Sequence, residues 1–130
     1  MLINCVVYEN GTRLADIPVG RINEYVALPN CFVWVALHDP TPEEMDEVQQ
    51  AFDLHPLAVE DAQNGHQRPK VEEYGDSLFV VLHLIDTDTV QARHAMEVGE
   101  VDVFVGRQYV VSVRSRSAHG FAEVRERCER

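Results

Sequence analysis

The sequence predicts an α/β (α+β) fold: a layered sandwich in which a mixed parallel/antiparallel sheet is covered by helices. Three observations carry this. Short runs of β-branched and aromatic residues lie in both halves of the chain. Two segments of helical period, with clear start signals, lie between them. The 130 residues suffice for one ordinary core, so residues 1–130 are read as a single domain.

The first strands are Leu2 to Tyr8 and Arg13 to Ile17. They flank Glu9-Asn10-Gly11-Thr12, and Asn-Gly is a strong hairpin signal. A short helix is expected over Arg21 to Ala27. Phe32-Val33-Trp34-Val35-Ala36-Leu37 reads as a buried strand. Thr41, Pro42 and Glu44 then form a capping box with proline at the first helical position. Met45, Val48 and Phe52 follow on one face. Asp53-Leu54-His55 breaks that helix and Pro56 starts another. Leu57, Val59 and Ala62 supply its apolar content, and Gly65 stops it.

Arg68 to Tyr74 is expected to be extended, with Pro69 marking a strand start or sheet edge. Ser77 to Ile85 is the most hydrophobic strand, and Asp86 to Ala95 a polar connection. Met96 to Val105 leads through Gly106-Arg107-Gln108 into Tyr109 to Arg114. In the first of these strands Val101, Val103 and Val105 alternate with Asp102 and Phe104. Ser117 is a candidate cap for a last helix containing Phe121, Val124 and Cys128. That helix shows no stop signal, so the natural chain is expected to run on past Arg130. No glycine-rich phosphate loop follows any strand, which disfavours nucleotide-binding folds.

Composition narrows the function classes. Eleven Lys+Arg against 22 Asp+Glu give a formal net charge of −11. Such a surface repels phosphate backbones, so no nucleic-acid partner is expected, and it attracts cations. The same acidity also serves plain solubility. Cys5, Cys31 and Cys128 are odd in number and far apart, against a disulfide scaffold or a zinc knuckle. No secretory leader is expected from Leu2-Ile3-Asn4-Cys5-Val6-Val7. The longest apolar run, Leu78 to Leu82 extended by Leu84-Ile85, falls short of the roughly 20 residues of a membrane helix.

The densest chemistry lies between His55 and Glu72, with Glu60, Asp61, His66, Arg68 and Lys70 in one short stretch. Glu60 and Asp61 are adjacent on a helix, so their side chains diverge by about 100° and do not easily share an ion. Each needs ligands from another element or another subunit. A lone carboxylate with water makes a weak site for a hard cation, suited to sensing an abundant ion. The simpler reading is a solvated helix face for Glu60 and Asp61. His55 then serves the helix start, His66 the helix end, and Arg68 and Lys70 pair with nearby acids. No serine or cysteine sits in a nucleophile motif and no His-x-x-x-His pattern is present, so no enzyme activity is expected.

His55-Pro56-Leu57-Ala58-Val59-Glu60-Asp61, followed by His66-Gln67-Arg68-Pro69-Lys70-Val71-Glu72, resembles the cytosolic N-terminal domain of the CorA family of magnesium channels. Trp34-Val35-Ala36-Leu37 before Pro40-Thr41, Tyr74 to Leu82, Val101 to Val113 and Val124-Arg125-Glu126-Arg127 extend the likeness; the first thirty residues carry little of it. The resemblance implies the soluble-domain fold of that family and a cytosolic regulatory domain, cut before the stalk and transmembrane helices. It implies membrane attachment through those missing helices, on the cytoplasmic side of the plasma (inner) membrane. It also implies a homopentamer that moves magnesium or cobalt, with weakly bound regulatory Mg2+ between subunits holding the pore closed. Asp61 takes the position of the acid in the principal inter-subunit site and Glu60 that of an acid in the second; their partner carboxylates come from later helices. His66 is a possible further ligand. The zinc transporters similar to ZntB are an alternative within the same superfamily, and a free-standing soluble binding protein or enzyme is a more distant one.

Overall fold

The computed structural model describes residues 1–65, 67–85, 98–115 and 122–129. The chain forms β1 (Leu2–Glu9), β2 (Thr12–Asp16), a turn of 3-10 helix (Val19–Arg21), α1 (Ile22–Val26) and β3 (Cys31–His38). Then come α2 (Pro42–Phe52), α3 (Pro56–Asn64), β4 (Lys70–Tyr74), β5 (Ser77–Ile85), β6 (Val98–Val105), β7 (Tyr109–Ser115) and α4 (Ala122–Glu129). The expected connection over 86–95, the residues Met96 and Glu97, the Ser117 cap and Phe121 fall outside the described residues.

The seven strands make one sheet in the order β2-β1-β3-β7-β6-β5-β4. Only the central pair, β3 with β7, is parallel. The topology explains this. After β3 the chain crosses through α2 and α3 to the far edge. It then returns by antiparallel neighbours until β7 meets β3 from the other side. A parallel pair requires such a long crossover, and helices provide it.

Local chemistry accounts for the boundaries. Asn10 and Gly11 take φ of 51° and 81°, the left-handed pair that a tight hairpin turn needs. At α2 the reciprocal cap is complete: Glu44 N donates to Thr41 Oγ1 at 3.2 Å, and Thr41 N donates to Glu44 Oε1 at 2.9 Å. Thr41→Ala removes one of these bonds and leaves a helix N–H without its acceptor. It is expected to cost about 1 kcal/mol, read as a lowered urea midpoint with an unchanged slope. An unchanged midpoint would show that the box contributes nothing. Asp53, at φ 53°, ends α2, and Gly65, at φ 66°, ends α3. Pro69 precedes β4, which is an edge strand, as a residue without an N–H requires.

The core lies between the sheet and α1, α2 and α3. It joins Cys5, Val7, Val33, Val35, Leu37, Phe79, Val81, Phe104, Val111 and Val113 of the sheet to Ile22, Met45, Val48, Phe52, Ala58, Val59 and Ala62 of the helices. The α2 face is as the spacing predicts. In α3 the expectation needs correcting, because Leu57 is exposed and Ala58 takes the buried position. Ala58, Val59 and Ala62 fall on one helical face, and Leu57 is turned away from Ala58 by about 100° around the axis. Cys5 and Cys31 are buried and Cys128 exposed. Burial pushes the Cys5 thiol up to about 11, so it is an inert core residue.

Strand β6 departs from a simple apolar-inward pattern. Its partners Phe79, Val81 and His83 on β5 place Phe104, Asp102 and Glu100 on the helix-covered side. Glu100 and Asp102 are fully buried there, while Val103 and Val105 on the other face are half-buried. On that second face α4 is tied to the sheet by Tyr8, whose hydroxyl donates to Glu129 Oε1 at 2.7 Å.

Candidate functional site

Helix α3 is braced against edge strand β4 at two points. At its start, His55 caps the helix: Leu57 N donates to His55 Nδ1 at 3.2 Å. The His55 ring stacks on Tyr74 with centroids 4.1 Å apart. Further along, Lys70 Nζ donates to Asp61 Oδ2 at 2.8 Å. Lys70, Glu72 and Tyr74 share one face of β4 because side chains on a strand alternate. That face looks at α3.

These contacts form one chain. The Lys70 ammonium also touches Glu72 Oε1, and Tyr74 OH donates to Glu72 Oε2 at 2.6 Å. The Phe79 ring lies beneath the ammonium, its centroid 5.9 Å from Nζ. Hydrogen bonding to Asp61, then to Glu72, raises the Lys70 pKa, so the lysine stays charged throughout the physiological range. The Lys70 ammonium, and after it the Tyr74 hydroxyl, lower the Glu72 carboxyl. The same Glu72 contact raises Tyr74.

Asp61 and Glu60 point apart, as neighbours on a helix must. Asp61 is half-buried against β4, whereas Glu60 is exposed and makes no hydrogen bond or ion pair among the described residues. His66 lies outside the described residues. Its neighbour Gln67 is pinned: the backbone N–H donates to the buried Glu100 Oε1 at 2.9 Å, and the carbonyl meets His83 Nε2 at 2.7 Å. Gln67 is therefore fastened to β5 and β6, three residues before Lys70 begins the edge strand.

The donor chemistry suits a hard cation, since carboxylate oxygens are what magnesium and calcium prefer. The number does not complete a site. Among the described residues no group of three or more His, Cys, Asp or Glu side chains is placed to hold a metal. Asp61 and Glu60 each offer one carboxylate. A cleft of about 570 Å³ between the α2–α3 junction and the β4–β5 turn is lined by Asp53, His55, Glu73, Tyr74 and Ser77 among others. Its one hydroxyl of nucleophile type, Ser77 Oγ, donates to Tyr74 O at 2.9 Å. Among the described residues no helix is long and apolar enough to cross a membrane.

Sequence reasoning anticipated that Lys70 pairs with an acid, but not that the acid is Asp61. The signal was present in the period-2 run Lys70, Glu72, Tyr74, whose face must meet the helix preceding it. The buried pair Glu100 and Asp102 was missed because alternation with valines makes them read as the solvent side.

The sequence model described as "CorA-like Mg2+ transporter protein" matches residues 30–130. YfjQ of Bacillus subtilis (strain 168) is 34% identical over 115 residues, covering 88% of this chain and 33% of that protein. The cobalt/magnesium transport protein CorA of Thermotoga maritima is 34% identical over 83 residues, covering 64% of this chain and 23% of that protein. Among solved structures, that of the full-length CmaX protein superposes with a TM-score of 0.76 at 22% identity, over 98% of this chain and 39% of that one. The chain therefore spans a third or less of the length of these curated relatives. The match begins at residue 30, after the weakly matching first hairpin, and includes the whole α3–β4 brace. On this ground the chain belongs to the CorA-like Mg2+ transporter family.

Proposed function

We propose that this chain is the cytosolic magnesium-sensing and gating domain of a CorA-like divalent cation transporter, working as part of a homopentamer. The observation that carries the reading is the position of Asp61. It lies in the family's motif, on a helix braced at two points, with a half-buried carboxylate that belongs to no group of three or more metal-ligating side chains among the described residues. Asp61 supplies one side of a magnesium position shared with a neighbouring subunit, and Glu60 one side of a second. Their partner carboxylates belong to helices beyond Arg130, as do the membrane-spanning segments. A cation shared between adjacent subunits bridges them, and its loss removes that bridge, which favours separation and an open pore. The ion moved is magnesium or cobalt. The zinc alternative is less well supported, because Asp61 and Glu60 are hard oxygen donors and zinc prefers nitrogen and sulfur.

A shared site predicts feeble binding by one chain. Calorimetric titration of the 130-residue chain with Mg2+ is expected to give a dissociation constant of about 10⁻³ M or weaker, the range of sparse oxygen sites. Sub-micromolar affinity in a monomer would contradict a site divided between subunits.

A further inference from the structure

We propose that Lys70 sets the affinity of Asp61 for a divalent cation, by occupying the carboxylate whenever the cation does not. The proposal rests on the reading of Asp61 given above.

The geometry supplies the competitor. Lys70 Nζ is 2.8 Å from Asp61 Oδ2, so an ion coordinating that oxygen displaces the ammonium or shares the carboxylate with it. Lys70 is not a loose surface side chain that happens to reach an acid. Its root is in β4, Glu72 holds its ammonium from the other side, Tyr74 holds Glu72, and the Phe79 ring lies beneath. The lysine's resting place is therefore built, and half-burial of both partners weakens solvent screening.

Two physical effects follow. A ligand that binds only the free fraction of a group has its affinity reduced by that fraction. A bound dication also meets a fixed positive charge a few ångströms away. Both make the Asp61 position weak, which suits an abundant ion that must be able to leave. Lys70 has a second consequence. With no cation present, it neutralises Asp61, so a separated subunit does not carry a bare carboxylate at its boundary.

Lys70 acts through Asp61, so the test needs a readout that a purely structural residue does not move. The 130-residue chain and its variants are titrated with Mg2+ by NMR, following the amides of 58–64 and 70–74, with Mn2+ broadening to locate the ion. Lys70→Gln and Lys70→Met are both expected to tighten Mg2+ binding at Asp61 about fivefold, the release of a half-buried ion pair. Lys70→Arg keeps the charge and is expected to stay within about twofold of wild type by the same reasoning. The double variant Lys70→Gln with Asp61→Asn is expected to lose the gain. Loss of a merely structural lysine loosens α3 and does not tighten a cation. Binding in Lys70→Gln and Lys70→Met no tighter than wild type overturns the proposal. The two readings fail separately. If Asp61→Asn leaves the wild-type titration untouched, the Asp61 position falls and the lysine's role with it. If Asp61→Asn abolishes the titration but neither lysine variant tightens it, only the role of Lys70 falls.

Discussion

Asp61→Lys in the full-length protein is expected to blunt the magnesium-dependent protection against proteolysis that the proposed function entails. The substitution changes the local charge by two units at a carboxylate that lies 2.8 Å from Lys70 Nζ. A cation-binding oxygen is lost, and a second ammonium is placed beside the first, where a dication would have to sit. Each effect opposes binding, and the added repulsion between an ammonium and a dication about 4 Å apart alone amounts to about 2 kcal/mol even in water. The magnesium concentration for half-protection is therefore expected to rise more than about tenfold, the loss of the ligand adding to that repulsion. Asp61→Asn removes the charge without reversing it and is expected to lie between wild type and lysine. The fold should survive both, because breaking a half-exposed pair costs on the order of 1 kcal/mol. A thermal melt of the variant chains checks this. Limited proteolysis across a magnesium series is the measurement, and a cutting pattern that depends on magnesium as in wild type would sink the role given to Asp61.

The architecture was legible where one local rule governs each element. The Asn10-Gly11 turn, the Thr41–Glu44 box and the Pro56 start each name their own position in the structure. What pattern alone could not show was which strands meet. Nothing local to Phe32–Leu37 says that it pairs parallel with a strand more than seventy residues later; that depends on the α2–α3 crossover reaching the far edge. The inner side of β6 was also illegible. A buried carboxylate is invisible to a hydrophobic pattern, and Glu100 is buried because the chain after α3 brings the Gln67 N–H to it. The candidate site was half legible for the same reason. Helical geometry showed that Glu60 and Asp61 diverge, but Lys70 reaches Asp61 only because β4 runs along the edge beside α3, a tertiary fact.

Phe79→Ala is expected to be the most damaging single change to stability, lowering it by about 3–5 kcal/mol. Phe79 is 1% exposed near the start of β5, and its ring packs against Phe104 across the strand pair with centroids 4.9 Å apart. It faces Glu72 on β4, and its ring also underlies the Lys70 ammonium. Truncation leaves a cavity bounded by sheet backbone, which cannot collapse to fill it. A small domain holds only about 5–15 kcal/mol in all, so this one ring accounts for a large share. Phe79→Leu keeps most of the volume and is expected to cost about 1.5 kcal/mol or less. Urea unfolding of the three chains measures the series, and a loss below about 1 kcal/mol for the alanine variant would show that the β5–β6 side of the core is loosely packed. The ring also gives stability and cation affinity a common physical root. Without it Lys70 loses its floor, so in Phe79→Leu, which stays folded, magnesium binding at Asp61 should move toward the tighter value expected for Lys70→Gln. A leucine variant with lowered stability but unchanged affinity would show that Glu72 and Tyr74 alone hold the lysine in place.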